Sequence, residues 1–282
     1  MWARRGVLKS VKWRMMSYEY EATCEREEAW MPNLYEMTWL GAKEYFKSND
    51  IVLLPVGSTE QHGPHNPLGT DHLIARDLAE KAAERTRVLC LPTVPFGVSS
   101  HHRQFWGTVH VRSDVFKAYL REVCLSLKYY GVNKIVIVNG HGGNTRSLVE
   151  LARELREAGM FISVFIWWRA ARQRLDDVFS LEERGHAAAE ETSVNLALHP
   201  RLVNMKRAVD ERKRQLFPEA SVGVIYGSDT IDVTDSGVMG ISKTASAEKG
   251  KEIVQVAVEE LVRHVNVLKK ANIEDLLPKP LR

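Results

Sequence analysis

The chain contains little cysteine, with three among its 282 residues, at positions 24, 90 and 124. The number is odd, the three are far apart and no Cys-x-x-Cys pair occurs, which argues against a disulfide framework and against a zinc site built from thiolates. This usage favours a reducing, cytoplasmic setting. The chain also lacks any apolar run close to the roughly 20 residues of a transmembrane helix, and residues 1–30 lack the apolar centre of a signal peptide.

Excess charge of either sign is small as well. Lys and Arg number 39 and Asp and Glu number 36, which leaves a formal net charge of +3. Composition therefore predicts neither a nucleic-acid partner nor an anionic membrane partner, and no glycine-rich stretch has the Walker or Rossmann spacing. With 44% hydrophobic residues, the chain suits one large α/β domain with a full core. Any partner has to be inferred from a local site.

Charge divides the first 30 residues into a basic part and an acidic part. We interpret residues 1–30 as a peripheral or mobile N-terminal extension and residues 31–282 as a single domain. Within that domain, residues 205–240 have little periodicity and several glycines. This pattern is typical of an irregular surface insertion or of an arm between subunits.

Apolar runs and amphipathic stretches alternate through the domain. The runs predict strands at residues 51–56, 88–91, 134–138 and 161–166. The amphipathic stretches predict helices at residues 72–86, 113–130, 145–158 and 246–270, with a further helix that ends at Leu198. Such βα repetition predicts a mostly parallel sheet that is covered by helices on both faces.

The loop after the first strand, residues 57–71, carries candidate metal ligands. Glu60 and His62 are two residues apart, so their side chains leave the same face if the strand continues, and Asp71 follows a turn rich in Gly and Pro. Two carboxylates and an imidazole suit a divalent ion such as zinc, manganese or iron. The alternative for each residue is a local cap, ion pair or hydrogen bond. Three candidates at the carboxyl end of one strand, where α/β sheets bind ligands, favour the metal site.

Two more loops follow predicted strands. Residues 97–108 form a second polar loop with glycines and are a candidate site wall. The glycines of residues 139–144 let the backbone approach a ligand and place His141 at the mouth of the sheet. We favour His141 as a metal ligand, and a structural turn histidine is the alternative.

The last candidates lie near a tandem of tryptophans and at the start of a helix. Trp167 and Trp168 either line a pocket for a flat polar ring or pack in the core. On a helix, His186 and Glu190 would share a face, and Glu191 would lie beside that face.

Four of these stretches, together with the C-terminal tail, resemble one family. They are residues 55–71, Phe-Trp-Gly-Thr at 105–108, Asn-Gly-His-Gly-Gly-Asn at 139–144, His186 to Ser193, and the tail at 237–250. In this order they are similar to the creatininase (creatinine amidohydrolase) family. The resemblance implies a three-layer α/β/α fold with a mostly parallel central sheet, assembled as a homohexamer. It also implies a centre of two divalent metal ions (zinc, manganese or iron) that hydrolyses a non-peptide C–N bond in a small cyclic or formyl amide.

The resemblance implies a role for each matched residue. Glu60 and His141 would hold one metal ion, His62 would hold the other, and Asp71 would bridge both. The family has a further ligand glutamate where this chain has Gly143. Glu191 would replace that ligand, with Glu190 as the alternative.

The resemblance also implies which residues act on the substrate. His186 and Glu191 would be catalytic, and His186 would protonate the departing nitrogen, because the ordinary pKa of histidine lies near neutrality. Candidate substrate-binding residues are Ser99, His102, Trp106, Gly142 and Gly143.

Other functions remain open at this stage. Relatives of the family include a formamidopyrimidine ribotide deformylase of flavin and deazaflavin synthesis and a peptidase that trims a cofactor precursor. A ribotide would need a phosphate cluster, for which Arg103, Arg112 and Arg146 are candidates. A different class is a mononuclear non-heme iron protein, since two histidines and a carboxylate also form an oxygen-activating site.

Overall fold

A computed structural model describes residues 30–217, 224 and 226–280 of the chain. The N-terminal extension expected at residues 1–30 therefore lies outside the described residues, except for Trp30. No helix in the described ranges is long and apolar enough to cross a lipid bilayer. Cys90 and Cys124 are buried free thiols.

Four parallel strands form the central sheet, in the order β2-β1-β3-β4. They are β1 (Ile51–Val56), β2 (Leu89–Cys90), β3 (Lys134–Asn139) and β4 (Phe161–Ile166). The four predicted strands are confirmed, although the second is shorter than expected. Every strand pairing in this sheet is parallel.

Helices connect the strands and continue after the last one. The longer ones are α1 (Trp39–Ser48), α2 (Thr70–Thr86), α3 (Ser113–Lys128), α4 (Thr145–Glu157), α6 (Arg172–Val178), α7 (Ala189–Leu198) and α9 (Ala247–Lys270). Four-residue helices are α5 (Trp167–Ala170), α8 (Thr230–Val233) and α10 (Ile273–Leu276). The sequence patterns did not predict α1 or α6. The Thr38 side chain caps α1 by accepting a hydrogen bond from the Gly41 N–H at 3.3 Å, so its start carries a recognisable signal.

Two hydrophobic clusters lie on opposite faces of the sheet. Leu53 and Val136 point into one cluster together with apolar side chains of α2, α6, α7 and α9. Their neighbours Leu54 and Ile135 point into the other, with side chains of α1, α3 and α4. Alternate strand residues thus serve opposite layers, as the period of a strand requires. The three-layer α/β/α architecture is confirmed.

The carboxyl ends of β1 and β3 are level with each other. Val56 is the register partner of Asn139, and the Gly140 N–H donates to the Val56 carbonyl at 2.8 Å. The loops that leave these two strands therefore start side by side. This register brings the candidate residues of two distant sequence stretches to one edge of the sheet.

A buried lysine joins the opposite end of β3 to the end of α9. The Lys134 ammonium donates to the carbonyl oxygens of Leu268 and Ala271 at 3.0 and 2.9 Å. It also lies 3.0 Å from the Asp50 carboxylate, and its side chain is only 3% exposed. The positive charge therefore satisfies carbonyl groups at the C-terminus of the longest helix.

We expect Lys134→Met to lower the free energy of unfolding by roughly 1.5–3 kcal/mol, because three acceptors lose a charged donor. Urea unfolding followed by circular dichroism measures the change. Lys81→Met, at an exposed position on α2, is the control and should stay within about 0.5 kcal/mol of the parent. Equal stability of the two variants would contradict the role of the buried ammonium.

Candidate metal centre and cavity

Four chain segments supply the candidate side chains. Glu60 and His62 lie in the loop after β1, and Asp71 lies in the first turn of α2. His141 follows β3 directly, and Glu191 lies in the first turn of α7. Glu60, His62, Asp71 and His141 are each at most 5% exposed.

Asp71 lies between the two histidines. Its Oδ1 is 3.0 Å from His62 Nε2, and its Oδ2 is 3.0 Å from His141 Nδ1. Glu60 Oε2 lies 3.2 Å from the same nitrogen of His141. One carboxylate thus contacts both imidazoles, which is the geometry that a bridging ligand needs.

Ligand atoms form two compact groups around Asp71. Glu60, Asp71 and His141 form one group, and His62, His186 and Glu191 form another; within each, the possible ligand atoms lie within 4.8 Å of one another. A third group of Glu60, His102 and His186 overlaps both. Glu191 Oε2 is 3.9 Å from His62 Nε2, whereas Glu190 belongs to none of these groups.

Backbone carbonyls fix the orientation of both central imidazoles. His62 Nδ1 lies 3.1 Å from the Glu60 carbonyl oxygen, and His141 Nε2 lies 3.1 Å from the Val98 carbonyl oxygen. A carbonyl can only accept, so each of these nitrogens carries the hydrogen. In the neutral rings, His62 Nε2 and His141 Nδ1 therefore present lone pairs to carboxylates. Histidines that bind metals are typically held in this way.

These lone pairs and carboxylates need a positive charge between them. Burial opposes a charge on His62, but the carboxylates of Asp71, Glu191 and Glu60 together outweigh it and raise the pKa of this imidazole to about 10. Burial opposes a charge on His141 as well, yet Glu60 and Asp71 raise its pKa well above the ordinary value. A proton or a metal ion can supply the charge.

The carboxylate oxygens give a second test of the fit to a metal. Both side-chain oxygens of Glu60 and Oδ2 of Asp71 are buried and accept no hydrogen bond from the described residues. Buried oxygens without donors are costly, by roughly 1–3 kcal/mol or more each. Direct bonds to divalent ions would satisfy them, so the donor set fits a metal centre.

Glycines allow the backbone to come close at this centre. A Cβ on Gly143 would lie 2.5 Å from His141 Nε2 and 2.4 Å from the Val98 carbonyl oxygen. The position where the family pattern has a glutamate thus has no room for a side chain in this backbone. The carboxylate that approaches His62 comes instead from Glu191.

His186 faces the centre from the side of α7. Its Nε2 lies 2.8 Å from the Gln61 carbonyl oxygen, and its Nδ1 lies 3.9 Å from Glu60 Oε1. Burial and the nearby His62 lower the pKa of His186 well below its ordinary value. The ring is therefore neutral near pH 7, and it has to accept a proton before it can donate one to a leaving group.

Of the predicted substrate-binding residues, three line the cavity and two do not. A cavity of about 280 Å³ opens over the cluster, and His102, Gly142 and Gly143 line it. Ser99 is fully buried and hydrogen-bonded to the Ser58 hydroxyl at 2.9 Å, and it is not part of the wall. Trp106 points away on its loop, with 96% of its side chain exposed.

One of the two adjacent tryptophans packs in the core and the other lines the cavity, the two roles that the sequence allowed. Trp167 is 1% exposed and packs in the core, whereas Trp168 lines the cavity. Both lie in α5 rather than at the end of β4. One of the two tryptophans is thus available to a ligand in the cavity.

The segment expected to be a surface insertion also reaches the site, a contact that the sequence did not predict. The Gln61 amide donates to the Gly237 carbonyl at 3.2 Å and lies 2.9 Å from His102 Nδ1, which the Thr230 hydroxyl approaches to 2.8 Å. A Cβ on Gly237 would lie 1.8 Å from the Gln61 side-chain oxygen. The glycines of the C-terminal motif at residues 237–240 were the available signal for this contact.

Comparison with known proteins gives matches over most of the chain. A model of the creatininase family, described as creatinine amidohydrolase, matches residues 35–265. The 3-dehydro-scyllo-inosose hydrolase of Thermotoga maritima is 30% identical, over 81% of this chain and 82% of its own. The creatinine amidohydrolase of Pseudomonas putida is 30% identical, over 79% and 92%. A mycofactocin precursor peptide peptidase of Mycobacterium ulcerans is 31% identical, over 76% and 84%.

Solved structures of creatininase are similar to this fold. A mutant creatininase described as Zn-Zn type has a TM-score of 0.73 and 30% identity, over 85% of this chain and 98% of its own. A manganese form has a TM-score of 0.75 and 28% identity, over 85% and 99%.

Gly140 provides a test of how the backbone positions Asp71. A Cβ on Gly140 would lie 2.1 Å from the Asp71 carbonyl oxygen, whereas one on Gly142 would meet no atom within 4 Å. We expect Gly140→Ala to destabilise the protein by roughly 1–3 kcal/mol through overpacking and to weaken uptake of divalent ions, because Asp71 is displaced. Urea unfolding and metal analysis measure the two effects. Gly142→Ala is the matched control, and a similar loss in both variants would rule out the specific contact.

Proposed function

The chain belongs to the creatininase family, and on that premise we propose that it is an amidohydrolase with two divalent metal ions. Its proposed reaction is hydrolysis of a non-peptide C–N bond in a small cyclic or formyl amide. The observation that carries the proposal is the Asp71 carboxylate, with one oxygen at each of two buried imidazoles. Zinc and manganese forms of creatininase support the kind of metal.

The proposed ligands come from the two groups of donor atoms, with Asp71 shared between the ions and His186 kept for proton transfer. Glu60, Asp71 and His141 would hold one ion, and His62, Asp71 and Glu191 would hold the other, with Glu191 in place of a ligand at Gly143. Bound there, two divalent ions would lower the pKa of a water molecule and polarise the scissile carbonyl. The buried carboxylates offset the charge of the ions, and the low exposure of the cluster limits competing solvent.

His186 is the proposed proton carrier. Its neutral ring can take a proton from the attacking water and pass it to the leaving nitrogen, because Nδ1 faces the cluster. The carbonyl and side chain of Gln61 hold the opposite edge of the ring. Glu191 supplies a carboxylate beside this path, so we keep both residues as proposed catalytic groups.

The alternatives are less well supported. Among the described residues that line the cavity, none is Lys or Arg. The three arginines that could bind a phosphate form ion pairs with carboxylates instead. The pairs are Arg103 with Asp229, Arg112 with Asp114 and Arg146 with Glu150. A ribotide deformylase would therefore lack a phosphate clamp. A mononuclear iron site would leave several of the buried carboxylate oxygens without a partner.

Assembly and substrate are also proposals. Exposed aromatic side chains, including Trp39, Trp106 and Tyr129, support association between copies, and a homohexamer is the form that we propose. Creatinine, a formamidopyrimidine ribotide, a short peptide and 3-dehydro-scyllo-inosose form a substrate panel that samples the related activities. Turnover of the cyclic amide is the expected result.

We expect two divalent ions per chain and loss of both in Asp71→Ala, since this carboxylate contacts both halves of the centre. Plasma mass spectrometry of dialysed protein measures the stoichiometry. Asp77→Ala removes a carboxylate from the same helix without touching the cluster and should keep two ions. Full metal content in Asp71→Ala would refute the bridging role, and a single ion in the parent would favour the iron alternative.

His186→Asn should lower kcat by about 10²–10⁴, the usual contribution of a positioned acid or base, while the metal content stays at two. The assay is release of product from whichever panel compound the parent hydrolyses. His264→Asn is the control, because His264 contacts Ser163 at 2.9 Å on another face of the protein. Unchanged kcat in His186→Asn would exclude proton transfer by this ring.

A further inference from the structure

One carboxylate in the cavity has no role in the centre described above. Glu190 lines the cavity, is 9% exposed, and lies beyond the three groups of possible ligand atoms. Its neighbour Glu191 belongs to one of those groups. Glu190 is therefore a buried acidic group that the proposed reaction does not use.

The partners of Glu190 are too few for a buried carboxylate. Within the described residues, its side chain accepts one hydrogen bond, from the Gly185 N–H at 3.3 Å, and no cationic nitrogen comes within 4.0 Å. The nearest arginines are engaged with other groups, Arg184 with the Phe179 carbonyl and Arg172 with Asp176.

The surroundings indicate what could approach it. Trp168 and His186 line the same cavity, so a ligand seated there has an aromatic side chain and the centre within reach. A carboxylate accepts hydrogen bonds and repels anions. A hydrogen-bond donor carried by a ligand therefore suits Glu190, and an acceptor of this kind, largely shielded from solvent, discriminates strongly against analogues that lack the donor.

We propose that Glu190 is a specificity residue that accepts a hydrogen bond from an amino or amidine N–H on the substrate, next to the amide that reacts. This inference rests on the proposed function, because it assumes that the substrate occupies the cavity over the metal centre. It narrows the substrate class to compact amides that carry an amino or amidine group and no anionic group. Glu190 then differs from Glu191 in acting on the ligand and not on the ions.

Two ring compounds test whether Glu190 recognises the amino group, in a binding experiment on the zinc-loaded protein. Creatinine carries an amino group, and 1-methylhydantoin has a carbonyl oxygen in its place on the same ring. Isothermal titration should show at least tenfold tighter binding of creatinine to the parent, because only creatinine offers that donor. In Glu190→Gln the ratio should fall to about threefold or less, while two zinc ions remain bound.

The controls distinguish recognition of the substrate from ligation of the metal ions and from hydrolysis of the substrate. Glu191→Gln should lose zinc, and Glu157→Gln, at an exposed position on α4, should keep both the zinc and the tenfold ratio. The proposal would be overturned if the parent bound both compounds equally or bound neither. It would also be overturned if Glu190→Gln left the ratio of the two affinities unchanged. Loss of zinc in Glu190→Gln would also overturn it, by making Glu190 a ligand. Binding without hydrolysis would refute the hydrolase proposal alone.

Discussion

The shared contact of Asp71 with two buried imidazoles is the constraint on which the site depends. Glu60, Asp71 and Glu191 bring three carboxylates into a region from which water is largely excluded, and their mutual repulsion there is strong. Such a cluster is compatible with a folded protein only if positive charge lies between the carboxylates. The raised pKa values of His62 and His141 express the same need. On the proposed function, metal binding and the stability of this edge of the sheet are therefore coupled.

Close backbone packing determines where that charge can sit. Gly57 and Gly140 follow β1 and β3, and a Cβ on either would lie less than 2.5 Å from the backbone of Asp71 or His72. The first turn of α2 is therefore pressed against both strand ends, which leaves the Asp71 carboxylate little freedom. Because the sheet is buried on both faces, this placement is as rigid as the core.

The elements that carry the centre could be predicted, whereas several contacts around it could not. The strands were recognisable because their apolar, β-branched runs are buried on both faces. Glu60 and His141 were recognisable because they lie in the loops that leave two of these strands. The family resemblance implied that Ser99 contacts substrate, but it could not indicate that the Ser99 side chain is buried and hydrogen-bonded to Ser58. Gln61 and Gly237 are 176 residues apart, and no local pattern encodes such a pairing.

Adjacent glutamates acquire different roles from the geometry of one helix start. Glu190 and Glu191 are successive residues in the first turn of α7, so their side chains diverge by about 100° around the axis. Ala187, which is buried and has φ 56, donates its N–H to Glu191 Oε2 at 2.7 Å. A non-glycine residue in this conformation costs about 1 kcal/mol or more, and here the strained turn holds Glu191 towards His62. Glu190, in the same turn, lines the cavity, so in the proposed scheme the helix start supplies one carboxylate to the ions and one to the substrate.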